Sequence, residues 1–371
     1  MDKDTLLSSF GKWISPINFD LLREQVESLK LDYYTKKLTT ESYLKLMLLA
    51  HLDEWDSLHE MSDALVDEEL QKAVGFQSIS VSQLSRRNNE IPSDVLASLF
   101  FDLVGHIKTF HTDFKTTMPL HIIDSTTIPL NIRKYQWAEF RKTKAGLKVH
   151  LRLVMMDKHT TYPDQLTMTG AKEHDRGQLE VLVDNPNAIY VFDRGYLDYK
   201  RFDLMTDDGY FFVSRVKKNT VTRDICEFDA GDEKNILSDK MVWLGTPQKR
   251  AENAFRIVEV KDDRGKILRL ITNRFDISPK EVSEMYRSRW AIELFFKWLK
   301  QHVKIKTFYG VSETAVENQI YTALIVYCLH VLIQLETGSK SKVLQISRWL
   351  KRLVWKPSYQ WVRRLKNRTV P

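Results

Sequence analysis

The chain has 371 residues, 43% of them hydrophobic and 28% charged, a composition ordinary for a soluble globular protein with a core large enough to fold unaided. Its two cysteines, Cys226 and Cys328, lie far apart and outside any CxxC or Cys/His spacing, so neither a disulfide framework nor a zinc knuckle is implied and a reducing, cytoplasmic setting is expected. The net charge of +7 is unevenly spread: residues 1–110 carry seven more acids than bases, residues 111–336 four more bases than acids, and residues 337–371 ten Lys or Arg and no acid. This asymmetry points to a polyanionic partner, with nucleic acid first and an anionic membrane surface second.

The opening "MDKDTLLSSFGKWISP" lacks a basic start followed by a long apolar run, so no signal peptide is expected. Residues 1–115 read as helical. "TTESYLKLMLLAHL" places Leu44, Met47, Leu48 and Leu52 at helical spacing behind Thr and Ser caps. "SLHEMSDALVDEEL", a turn at Gly75 and "SISVSQLSRRNNE" read as two short helices. The second carries Gln83, Arg86, Arg87 and Asn88, side chains suited to phosphates and base edges. A helix-turn-helix and a small bundle with a polar face both fit this pattern.

After Met118 the texture turns to strands. "LHIID" ends at Asp124, "GLKVHLRLVMMD" and "TYPDQLTMTG" form a strand pair, and "AIYVFD" ends at Asp193. "DRGQLEVLVD" reads as a helix capped by Asp175, with "KEHD" just before it; "LDYKRFDLMTDDG" is a second helix and "YFFVSRVKKN" a further strand. Residues 218–278 show only strands and turns, and Ser278 with Pro279 marks a helix start. From there the chain is helical. "TALIVYCLHVLIQL" is too short and too polar, with His330 and Gln334, for a membrane span, and a buried core helix is expected. The basic tail "SRWLKRLVWKPSYQWVRRLKNR" interleaves aromatics with cations, which suits either DNA contact or a solvated helix end.

"YRSRWAIELFFKWLK" concentrates the chemistry. On one continuous helix, Tyr286, Arg289, Glu293 and Lys300 fall within roughly 60° of one another. Taken alone, this is as well explained by an ion-paired surface stripe. Two acids at the ends of apolar strands change the balance, because buried carboxylates need compensating charge. Three carboxylates brought together are tolerable with divalent cations between them, and oxygen-only ligation suits Mg²⁺ or Mn²⁺. Two such ions can clamp the attacking and leaving oxygens of a phosphoryl displacement.

Asp124 in "HIID", Asp193 in "VFDRGY" and the set Tyr286, Arg289, Glu293 and Lys300 together resemble the DDE transposases of bacterial insertion sequences. The resemblance is to the group with the signature Tyr-x2-Arg-x3-Glu-x6-Lys, and it covers residues 118–310. It implies an α/β protein. The expected layout is a helical DNA-end-binding domain (1–115), a ribonuclease H-like catalytic core (116–217 and 279–310), an inserted β-rich subdomain (218–278) and a helical basic C-terminal region (311–371). It also implies cleavage of transposon ends and joining of their 3′ hydroxyls to target DNA, with Asp124, Asp193 and Glu293 as catalytic ligands of two Mg²⁺ or Mn²⁺ ions. Arg289 and Lys300 would neutralise phosphates, and Tyr286 would donate to a phosphate or stack on DNA.

Other expected DNA contacts are Arg86 and Arg87. Arg194 suits either a phosphate contact or a turn cap. Lys148, alternating with His150, suits either a DNA contact or the polar face of an edge strand. The implied partners are terminal inverted repeats and target DNA, bound by a homodimer in a synaptic complex, with no membrane. The setting would be the bacterial cytoplasm, associated with the nucleoid when on DNA. A non-catalytic DNA-binding descendant and a metal-dependent nuclease without strand transfer are the alternatives.

Overall fold

The computed structural model describes residues 7–110, 118–157, 160–172, 175–231, 233–302 and 308–366. Residues 173 and 174 of the "KEHD" stretch fall outside them. Among the described residues, seven α-helices come first: α1 (Ser9–Ile14), α2 (Phe19–Ser28), α3 (Thr40–Asp53), α4 (Leu58–Asp63), α5 (Glu68–Val74), α6 (Val81–Glu90) and α7 (Ser93–Thr109). Strands β1 (Leu120–Leu130), β2 (Glu139–Arg141), β3 (Lys144–Met155) and β4 (Thr161–Gly170) follow. The short α8 (Leu179–Leu182), β5 (Ile189–Phe192), α9 (Tyr199–Asp207) and β6 (Phe211–Arg215) come next, then β7 (Thr222–Glu227), β8 (Ile236–Thr246), β9 (Lys249–Lys261) and β10 (Ile267–Thr272). The chain closes with α10 (Pro279–Ser288), α11 (Trp290–His302), α12 (Glu313–Thr337), α13 (Val343–Leu353) and α14 (Ser358–Lys366).

These elements form two compact units, one of residues 1–115, 128–146 and 297–371, the other of 116–127 and 147–296. In the first, α12 is the central helix, packed by α7, α3, α13 and α14. Its most apolar window is 78% buried inside the protein, which is where the sequence places it. One polar atom of each of its buried His330 and Gln334 is satisfied: His330 Nδ1 lies 2.6 Å from Val326 O, and Gln334 donates to Ser341 O at 3.1 Å, while His330 Nε2 and Gln334 Oε1 have no hydrogen-bond partner among the described residues. The C-terminal helices therefore share a core with the N-terminal ones.

The second unit is built on one mixed sheet in the order β3-β1-β5-β6-β10-β9-β8-β7, with β4 paired to β3. β1, β5 and β6 run parallel. β10 returns antiparallel against β6, so β7–β10 extend this sheet and do not form one of their own. On one face, Phe202 of α9 stacks on Phe212 with ring centroids 4.5 Å apart, and Phe192 and Phe255 lie about them at 6.1 Å from Phe202. This aromatic cluster fixes β5 and β6 beneath α9, and such pairs add roughly 0.5–1.5 kcal/mol each beyond their area burial.

Two expectations are corrected here. β3 is no edge strand, since it lies between β1 and β4. His150 is fully buried with Nε2 2.9 Å from Thr169 Oγ1, and Lys148, opposite Thr169, is partly buried. The helix expected over "DRGQLEVLVD" is a 3₁₀ turn and the single α turn of α8. Pro186 has no N–H to continue the helix onto Leu182 O, and that carbonyl instead accepts from Arg152 of β3 at 2.8 Å.

The same guanidinium makes two 2.8 Å bonds to Asp164 on β4, both side chains being almost fully buried. Removing one partner of such a pair leaves an uncompensated buried charge. Arg152→Met is expected to lower stability by about 3–5 kcal/mol in urea unfolding. Arg152→Met with Asp164→Leu should recover only part of that loss, because Leu182 O and Asp184 also lose their donor.

Candidate active site

The parallel register of β1 and β5 positions the first two acids. Ile122 pairs with Val191 and Ile123 with Phe192, so Asp124 and Asp193 are the next residues along adjacent strands, which stand about 4.8 Å apart. Ile123 and Phe192 are fully buried and hold both strands in place. β1 itself continues past Asp124 to Leu130, so Asp124 interrupts an apolar strand, while Asp193 follows the last residue of β5. Ligands and catalytic groups in open α/β sheets characteristically lie at this carboxyl edge of parallel strands.

The third acid comes from the helices after β10. Ser278 caps α10 reciprocally with Glu281, and Pro279 opens it, as the sequence predicts. The expected single helix is broken, however. α10 ends at Ser288 and Trp290 starts α11, with Arg289 between them. The local bonds there span three residues, Arg289 N–H to Tyr286 O and Ile292 N–H to Arg289 O, both 3.2 Å. This tighter winding replaces the continuous stripe.

Arg289 joins the set. Its Nη1 lies 3.3 Å from Asp124 Oδ2, and its Nη2 donates to Glu293 Oε1. The Tyr286 hydroxyl donates to Asp193 Oδ1 at 3.3 Å, and the Arg289 guanidinium sits 5.9 Å from the Tyr286 ring centre. Arg215, at the end of β6, places Nη2 3.5 Å from Asp193 Oδ1. Sequence reasoning passed over Arg215. The signal available was a cation closing the apolar strand "FFVSR", in the same position relative to its strand as the two acids.

Burial pushes the Asp124 carboxyl up to about 6; Asp193 and Glu293 push the same way, against the Ser125 N–H and Arg289. Burial also raises the Tyr286 hydroxyl, which stays neutral and donating, with the Asp193 charge adding to it. For Arg289, burial works against the charge, but the bond to Glu293 and the neighbouring Asp124 outweigh it. Among the described residues no group of three or more His, Cys, Asp or Glu is arranged to hold a metal ion. The Arg289 guanidinium supplies the positive charge between Asp124 and Glu293. The donor set is nevertheless all carboxylate oxygen, which fits a hard divalent cation.

The remaining expected residues are dispersed. Arg194 is exposed on the turn after Asp193. Lys300 is exposed on α11 and belongs to the first unit, as do Arg86 and Arg87. Arg86 is exposed on α6, whereas Arg87 is buried. Arg87 donates to Leu31 O at 3.0 Å, to Thr40 Oγ1 at 2.7 Å and to Asp32. Its expected DNA contact is thus corrected: all its reach is spent inside the fold.

The family model for the transposase DDE domain matches residues 115–329, more than half of the chain. The chain belongs to the DDE transposase family. Residues 5–77 match a domain of unknown function (DUF4372). Among similar proteins, one named as the transposase of insertion sequence element IS5377 of Geobacillus stearothermophilus is 27% identical over 298 residues, 80% of this chain and 76% of that one. Another, named as transposase y4zB of Sinorhizobium fredii, is 31% identical over 251 residues, 66% of this chain and 69% of that one. Among solved structures, a piggyBac transposase synaptic complex with hairpin DNA aligns with a TM-score of 0.45 at 12% identity, over 99% of this chain and 81% of that chain.

The raised Asp124 fixes the sign of a pH effect. The folded form binds this proton more tightly than the unfolded chain, so the stabilisation is complete below the ordinary carboxylate value of 3.8 and is lost as pH rises through about 6. In EDTA, the stability of the wild type relative to Asp124→Asn should fall by about 2 kcal/mol between pH 4.5 and 7.5. Denaturant titrations of both proteins at the two pH values check this, and a difference that stays flat or rises contradicts it.

Proposed function

We propose that this transposase cuts the ends of its element and joins their 3′ hydroxyls to target DNA, using a ribonuclease H-like core in residues 116–217 and 279–310. Asp124, Asp193 and Glu293 would hold two Mg²⁺ or Mn²⁺ ions. The observation that carries this reading is the β1–β5 register, with two carboxylates side by side at one sheet edge and Glu293 tied to Asp124 through Arg289. When bound, the ions would activate the attacking oxygen and stabilise the departing one.

The protein's own groups prepare for that chemistry. Tyr286 and Arg215 both hold Asp193 Oδ1, which fixes that carboxylate before DNA arrives. Arg289 offsets the charge of Asp124 and Glu293, and with ions held by those carboxylates its guanidinium would suit a non-bridging phosphate oxygen. Lys300 and Arg194, both exposed, are suited to phosphate contacts. The enzyme would act in the cytoplasm as a homodimer on paired terminal inverted repeats, with the helical residues 1–115 gripping the ends.

The test uses linear DNA carrying the element's own ends, with Mg²⁺. Asp124→Asn, Asp193→Asn and Glu293→Gln should each lower cleavage by about 100-fold or more, while gel-shift affinity for the ends is retained. Near-wild-type cleavage by any one of them removes that residue from the ligand set. Cleavage without joined products from the wild type would favour a nuclease, and tight binding without nicking a DNA-binding protein.

A further inference from the structure

We propose that the cleft between the Lys30–Leu38 turn, within the domain of unknown function, and α6, which follows its matched range of 5–77, is a site for the phosphate backbone of duplex DNA. The proposal rests on the transposase reading for its choice of polyanion. The cleft encloses about 580 Å³ and includes Lys30, Tyr34, Lys36, Lys37, Arg86 and Glu90 in its lining. Lys30, Lys36, Lys37 and Arg86 are exposed, and among the described residues none of the four is in an ion pair. Four exposed cations and the ion-paired Arg87 line the cleft with one carboxylate, Glu90, in a stretch of chain, residues 1–110, that as a whole carries seven more acids than bases. A solvated helix face would share the local excess of acid; this concave surface inverts it, and concave charged walls concentrate the field on a ligand.

The walls are also fixed. Asp32 accepts from Thr40 N–H at 3.0 Å and Thr40 Oγ1 at 2.9 Å, and buried Arg87 ties this turn to α6 through Leu31 O, Asp32 and Thr40. Lys30 takes a left-handed backbone conformation, φ 54°, which turns the chain out of α2 and into the cleft wall. A reciprocal cap between Ser80 and Gln83 starts α6. Thus both arginines of the Arg86–Arg87 pair line the cleft, Arg87 with its guanidinium bonded inside the fold and Arg86 exposed. Tyr34, 90% exposed and edge-on to Tyr33 at 4.6 Å, stands at the rim, where its hydroxyl can donate to phosphate or sugar. Phosphate contacts of this kind orient a duplex without reading its sequence.

The experiment compares the full-length wild type with the variant Lys36→Ala/Lys37→Ala/Arg86→Ala, and with a charge-keeping variant Lys36→Arg/Lys37→Arg/Arg86→Lys. Each is titrated with a duplex of the element's end and with an unrelated duplex of equal length, across a salt series. The slope of log affinity against log salt should become shallower by about 0.9 for each lost phosphate contact, which at 0.1 M salt is a loss of about tenfold to several hundredfold. Both duplexes should be affected alike, and the charge-keeping variant should bind as the wild type does. The three side chains are exposed, so thermal melts should coincide. If the wild type binds and the alanine variant keeps its slope and affinity, the cleft assignment is overturned while the transposase reading stands. A loss confined to the element's end overturns the phosphate assignment in favour of base readout. If the wild type binds neither duplex, both readings fail.

Discussion

Two carboxylates forced side by side are the constraint on which the rest of the catalytic unit depends. The register of β1 against β5 leaves no choice: once Ile123 sits beside Phe192, the next residues are Asp124 and Asp193. Two negative charges on adjacent strands cost free energy unless cations share the space. The surrounding residues supply that compensation. Arg215 comes from the neighbouring β6, Arg289 from the helix junction, and Tyr286 offers a neutral hydroxyl. The aromatic cluster behind the strands, centred on Phe192, Phe202 and Phe212, prevents the register from relaxing to separate the charges. A slip of one residue would also turn every buried side chain of β5 to the opposite face.

The break at Arg289 follows from the same demand. On one unbroken helix, Arg289 and Glu293 would form an i, i+4 pair of small value. The tighter winding at the junction lets the guanidinium reach both Glu293 and Asp124, which is 165 positions away in the chain. The Tyr286 hydroxyl meets Asp193 from the end of α10, while Glu293 rises from the first turn of α11. α10 thus serves Asp193 through Tyr286, and α11 contributes Glu293.

Much of this is legible along the chain, because the signals are local. Caps such as Ser278 with Pro279, the alternation in β3 and the apolar runs before Asp124 and Asp193 depend on neighbours within a few residues. The transposase family could be recognised because its marker residues are fixed in spacing. What is not legible depends on partners far away in sequence. Arg86 and Arg87 are adjacent and chemically identical, and only the packing of the Leu31–Thr40 turn decides which one is buried. The pairing of β10 with β6 turns the β segment into part of the main sheet, and strand alternation alone does not name a partner. The same holds for the C-terminal helices, whose apolar faces do not reveal that α12 packs with α3 and α7.

The arginines show how a structural cation differs from a working one. Arg87, Arg152 and Arg256 are buried and closed off: Arg256 holds Asp239 and two backbone carbonyls, Arg152 holds Asp164 and Leu182 O, and Arg87 holds Asp32 and Leu31 O. In each, the guanidinium donates both to a carboxylate and to backbone, so displacing it would break the chain's own hydrogen bonding. Arg289 differs in kind. Its recorded acceptors are side-chain carboxylates, each partly open to solvent, and both belong to the proposed ligand set. A cation bound only to groups that other cations can claim is exchangeable, and its release costs no secondary structure. By this physical criterion Arg289 can change partners during a reaction, while Arg87, Arg152 and Arg256 must stay where they are.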